Sequence, residues 1–224
     1  MNDVADDLDD AHQPLDQPNA RYRRRSESLE FERVAFFSDA VFAIAMTLLV
    51  VGIGIPAVKD SEITNELSKK YNEIFSFFLS FIVIGFYWLA HHRFFSRLAA
   101  IDVRFMKLNL VYLAAIAFMP FPTALVGTYG DAEAVVIVLY AVALGFASLM
   151  EALMFWHAQR AGLLRKRLED HDFRNAMIAS VAPAFVFVLS IPIALADPGL
   201  GLLSWLLIIP AEFLIGKYLH TESI

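Results

Sequence analysis

Polar and apolar positions along this chain fall into long blocks instead of mixing. Six apolar runs stand out, at residues 33–55, 74–92, 105–127, 134–156, 176–196 and 200–216. Each is close to the roughly 20 residues needed to cross a hydrocarbon layer about 30 Å thick. The pattern predicts an all-α polytopic membrane protein with six transmembrane helices. Gly127-Thr128-Tyr129-Gly130-Asp131 and Asp197-Pro198-Gly199 are predicted as tight turns joining antiparallel helices. Residues 57–70 are polar and helix-prone, and are predicted at the surface between the first two spans. Ahead of the first span, residues 1–20 are rich in Asp, Pro and other polar types. They predict a disordered tail, which with the basic run behind it takes in residues 1–28. The membrane domain then covers residues 29–224.

The basic residues sort by side. Arg21, Arg23, Arg24, Arg25 and Arg33 precede or open the first span; Arg93, Arg97, Arg104 and Lys107 join the second and third. Arg160, Arg165, Lys166, Arg167 and Arg174 join the fourth and fifth, and Lys217 follows the sixth. Only Lys59, Lys69 and Lys70 fall on the opposite side. Such sorting is the positive-inside pattern, and it places both termini in the cytoplasm.

Composition narrows the class. Apolar types make up 58% of 224 residues, and there is no cysteine, which removes disulfides, thiolate metal sites and a Cys nucleophile. The net charge of −6 is distributed by membrane side, so it does not point to nucleic acid. No HExxH, GxSxG or P-loop pattern occurs, and the chain shows no enzyme machinery and no metal site. The first apolar run is too long for the h-region of a signal peptide. The six spans do not divide into similar halves, which disfavours an inverted-repeat transporter.

Candidate chemistry begins in the first span, where Asp39 sits among apolar residues. A carboxylate there costs a few kcal/mol unless it is paired or faces water. At 100° per residue, Arg33, Phe37, Ile44, Leu48 and Val51 share a sector about 60° wide, with Thr47 beside it. Asp39 points about 140° away from Ile44, toward a neighbouring helix. Geometry alone fits ordinary helix packing equally well, with Asp39 as a satisfied polar group.

Arg33-x-x-x-Phe37-Ser38-Asp39 resembles the signature of the transmembrane protein 175 family of potassium channels, found in bacteria and in lysosomes. In the second span, Tyr87-Trp88-x-x-His91-His92-x-x-Phe95 is similar to that family's aromatic-histidine stretch. The resemblance implies a homotetramer whose first helices line a central pore without a carbonyl filter. It implies an apolar constriction at Ile44, Leu48 and Val51, a ring of hydroxyls at Thr47, and potassium as the permeant ion, with no cofactor. Arg33, Phe37, Ser38 and Asp39 would then join Trp88 and His92 in a structural polar network. The implied setting is a bacterial plasma membrane.

The alternative reading is a secondary transporter coupling through the carboxylates of Asp39, Glu151 or Glu212, with a non-transporting scaffold behind it. Glu151 and Glu212 lie near cytoplasmic ends, where a paired carboxylate is the simpler reading. Thr128-Tyr129-Gly130 lacks a full potassium-filter motif and reads as a turn. His91 and His92 read as hydrogen-bonded packing, and Asn109 as interhelical glue. Pro120, Pro122, Pro183, Pro192 and Pro210 are expected to kink their helices.

Overall fold

The computed structural model describes residues 17–55, 63–129 and 133–207. Described elements are helical throughout: α1 (Gln17–Leu48) running into a 3-10 turn (Leu49–Gly52), α2 (Ile63–Lys69), α3 (Tyr71–Ser96) and α4 (Val103–Phe118). They continue with α5 (Pro120–Tyr129), α6 (Ala134–Ala161), α7 (Asp170–Ala196), α8 (Pro198–Ser204) and a 3-10 turn (Trp205–Leu207). Among the described residues, five stretches are long and apolar enough to cross a membrane: Leu29–Gly52, Tyr71–Ser96, Val103–Tyr129, Ala134–Ala161 and Asp170–Ala196. A short apolar helix, Pro198–Leu207, follows them. Most of the sixth expected span, with Pro210, Glu212 and Lys217, lies outside the described residues.

The helix boundaries bear on three local expectations. α1 begins at Gln17, inside the stretch expected as a disordered tail, while residues 1–16 lie outside the described residues. Residues 21–30 are mostly Arg, Glu and Leu, good helix formers that extend a helix already nucleated by the span behind them. The third span breaks into α4 and α5 at Met119, next to Pro120, where a kink was expected. Pro120 has no N–H to give the Ile116 carbonyl, and that oxygen instead accepts from Met119 N at 3.1 Å. Finally, the expected turn is corrected in part: Gly127, Thr128 and Tyr129 are helical, while Gly130 and Asp131 lie outside the described residues. Gly127 serves close packing: a Cβ there would lie 2.6 Å from Ser76 Oγ and 2.9 Å from Glu73 Cα, so only glycine lets α5 sit this tightly on α3.

Other ends follow familiar capping chemistry. Asp102 caps α4 by accepting from Phe105 N, and Asp197 caps α8 by accepting from Leu200 N. Gly162 closes α6 in the left-handed conformation (φ 70°), with Leu163 N donating to Ala158 O at 2.9 Å. The connections after α3 and after α6 lie side by side. Leu98 and Leu164 form an antiparallel bridge, Ala99 N donates to Leu163 O (2.8 Å), and Arg165 N donates to Arg97 O (2.8 Å). The two most basic internal connections therefore share one end of the bundle, as the charge sorting requires.

The core is built where α1, α3, α4 and α6 meet. Phe42, Ile84, Phe105, Tyr112, Ile116, Ile137 and Leu144 are fully buried there. The buried polar side chains are all hydrogen-bonded among the described residues, as a membrane interior demands.

Candidate functional site on the first helix

α1 has two faces. Ser38, Phe42, Ala45 and Leu49 follow a 4-3-4 spacing and are buried against the bundle. On the other side, Phe37, Ile44, Leu48 and Val51 are 52%, 57%, 46% and 73% exposed. Arg33 and Thr47 share that outward face. The bulky apolar stripe is therefore not core packing within one chain. Helix geometry alone left this choice open, and burial decides it.

The stripe tightens at its end. From Leu49 to Gly52 the helix is 3-10, wound at about three residues per turn, which turns Val51 toward the line of Leu48, the last α-helical residue. Thr47 Oγ lies 2.9 Å from both the Ala43 and Ile44 carbonyls. Its proton is committed to its own helix, and its outward oxygen presents lone pairs only.

The buried face is anchored by a directed polar relay. Asn109 Nδ2 on α4 donates to Ser38 Oγ at 3.0 Å, so the Asn109 Oδ1 must accept from His91 Nε2–H on α3, also at 3.0 Å. Ser38 passes its own proton to Val34 O at 2.9 Å. Three helices are thus tied at one depth. Aromatic packing holds the relay: the His91 ring stacks on Tyr112 at 5.4 Å and 2°, and on Phe95 at 4.2 Å, while Phe42 lies 5.5 Å away.

A second contact joins the same helices. Trp88 Nε1 donates to Asp39 Oδ1 at 2.9 Å, with both side chains half-buried. The lone intramembrane carboxylate of α1 so receives a donor from α3. The His92 ring sits 5.5 Å from Trp88 but is exposed and, among the described residues, makes no hydrogen bond; the bonded histidine is His91. Arg33 and Phe37 lie on the exposed face, apart from this network. Sequence reading recognised Asn109 as a polar link but did not connect it to Ser38; its position one helix away from both partners gave no such signal. Glu151 is half-buried on α6, whereas Glu212 lies outside the described residues.

At the basic end, Asp102 adds a contact to its capping role. His157 Nε2 on α6 lies 2.9 Å and 3.0 Å from its two carboxylate oxygens. Burial pushes the Asp102 carboxyl up, but the Phe105 N–H and His157 together outweigh it and hold the carboxyl below its usual range.

Comparison with known proteins finds several similar chains. The family model for the endosomal/lysosomal potassium channel TMEM175 matches residues 33–120, which take in the relay and the outward stripe. A potassium channel of Streptomyces collinus is 32% identical over 178 residues, covering 77% of this chain and 86% of that one. A potassium channel of Chamaesiphon minutus is 34% identical over 152 residues, covering 65% of this chain and 75% of that one. The crystal structure of a lysosomal potassium-selective channel TMEM175 homolog from Chamaesiphon minutus aligns with a TM-score of 0.72 at 26% identity. That alignment covers 83% of this chain and 97% of the other.

Proposed function

This chain belongs to the TMEM175 family of potassium channels, and from that premise we propose that it is a channel subunit whose pore is lined by α1. Four copies surround a central path in a bacterial plasma membrane, with a sixth span completing each subunit and both termini in the cytoplasm. Ile44, Leu48 and Val51 form the constriction, Thr47 adds a ring of oxygens, and potassium is the permeant ion. The family is one of ion channels and not of enzymes.

One observation carries the pore assignment: the outward face of α1 mixes exposed Ile44, Leu48 and Val51 with Arg33 and Thr47. A face turned to lipid would leave the outward oxygen of Thr47 against hydrocarbon, with Arg33 at the opening of the span. A face turned to a narrow, intermittently wet path among copies of the chain does not. A ring of branched apolar side chains blocks ions by excluding water, and a small outward movement of the helices rewets it. The oxygens of Thr47, which have no proton to present outward, suit a passing cation and repel an anion. Asp39 and the Ser38–Asn109–His91 relay hold the opposite face, so the lining helix moves with its bundle and not apart from it.

The test is potassium flux into proteoliposomes, with sodium as comparison ion and Ile44→Asn alongside. A polar side chain at the constriction wets it, so the variant conducts faster than the parent. Slow, saturable flux that disappears on neutralising Asp39 or Glu151 would support the coupling-carboxylate alternative instead.

A further inference from the structure

The end of the constriction packs against α5, and its closest approach there is at Gly52. Gly52 closes the 3-10 turn that carries Val51, and it rests against Ala124. A Cβ at position 52 would lie 3.1 Å from Ala124 Cβ and 3.5 Å from Ala124 Cα. Ordinary carbon contacts are about 3.5–4.0 Å, so one added methyl must push the two segments apart by a few tenths of an ångström.

Which segment yields is decided by what holds each. α5 is pinned on two sides. Thr123, adjacent to Ala124, is hydrogen-bonded to Ser80 on α3 (2.9 Å) and to the Met119 carbonyl (2.8 Å), and Tyr140 on α6 donates to the same Ser80 oxygen (2.8 Å). One turn on, Gly127 is already in close contact with Ser76 and Glu73. These groups are buried, so α5 is a fixed surface. The 3-10 turn is held by packing and not by side-chain hydrogen bonds among the described residues: Leu49 is buried, Val50 and Val51 are exposed, and the closing bond, Ile53 N to Val50 O at 3.0 Å, stays within the turn.

We propose that the Gly52–Ala124 contact is the positioning element of the constriction, setting how far Val51 and Leu48 reach into the path. Neither residue touches the ion. The inference rests on the pore reading of α1 given above.

Single-channel recording in planar bilayers tests it on four full-length variants: Gly52→Ala, Ala124→Gly, the swap Gly52→Ala/Ala124→Gly, and Ile44→Asn. Gly52→Ala is expected to shift unitary potassium conductance by about two-fold or more, the low end of coupling between touching residues. The swap moves one methyl across the contact and is expected to return conductance to the parent value. Where Gly52→Ala fails to assemble, Ala124→Gly, which only loosens the seat, is expected to shift conductance by itself. Parent-like conductance in Gly52→Ala beside an altered Ile44→Asn overturns the positioning role and leaves the pore reading intact. A Gly52→Ala effect undiminished in the swap overturns it as well. An Ile44→Asn channel identical to the parent removes the pore reading, and the positioning role with it.

Discussion

Asn109 Nδ2 donates to Ser38 Oγ at 3.0 Å and, through its other amide atom, accepts from His91. One side chain on α4 therefore satisfies polar groups on both α1 and α3. Asn109→Leu removes both bonds and leaves Ser38 and His91 short of partners in a buried site. The expected loss is about 1–3 kcal/mol. Thermal unfolding in detergent should show a lower midpoint for Asn109→Leu than for a leucine placed at exposed Val111 nearby.

The Trp88–Asp39 hydrogen bond separates the two functional readings. Asp39→Asn keeps an acceptor for the indole N–H while removing the charge. If the carboxylate serves only to anchor α1, this variant keeps potassium flux, whereas Asp39→Ala, which leaves the indole without its acceptor, loses stability. Flux abolished in a well-folded Asp39→Asn protein would instead identify a coupling group.

Thr47 lies on the exposed face of α1 with its proton turned back to the helix. Thr47→Ser preserves the oxygen and its backbone bond, whereas Thr47→Val preserves shape and removes the oxygen. Bi-ionic reversal potentials should therefore be close to the parent for the serine variant. The valine variant should lose preference for potassium over sodium.

Asp102 joins the cap of α4 to His157 on α6, and its carboxyl is held below the ordinary carboxylate range. A carboxyl whose folded pKa is depressed contributes stability above its unfolded pKa of about 3.9, and loses it as pH falls through the lower folded value. Asp102→Ala should lower thermal stability near neutral pH, where losing a cap costs about 0.5–2 kcal/mol. The difference between parent and variant should close as pH drops below the carboxylate range. A constant difference down to that pH would remove the assigned role.

The five described spans were legible in the sequence because burial in lipid imposes a length and a composition that local residues alone must meet. Arg33, Ser38 and Asp39 drew attention for the same reason: a polar group in an apolar run has to be accounted for. The sorting of basic residues likewise needed no tertiary knowledge, and the joined connections at Leu98 and Leu164 agree with it. Which histidine of the pair turns inward was not legible, since His91 and His92 are adjacent and differ only by 100° of helix rotation. Only the packed neighbours Tyr112, Phe95 and Asn109 select His91. The break at Met119 was half legible: proline marked the place, but Gly127 read as a turn because a glycine needed for close packing resembles one needed for backbone freedom. Sequence periodicity could define the stripe through Ile44, Leu48 and Val51, but not whether it faced inward or outward. That required knowing that Ser38, Phe42, Ala45 and Leu49 already fill the bundle side. Local chemistry determines what a segment can be, whereas the face it presents depends on partners far away in sequence, and those are brought together only by the fold.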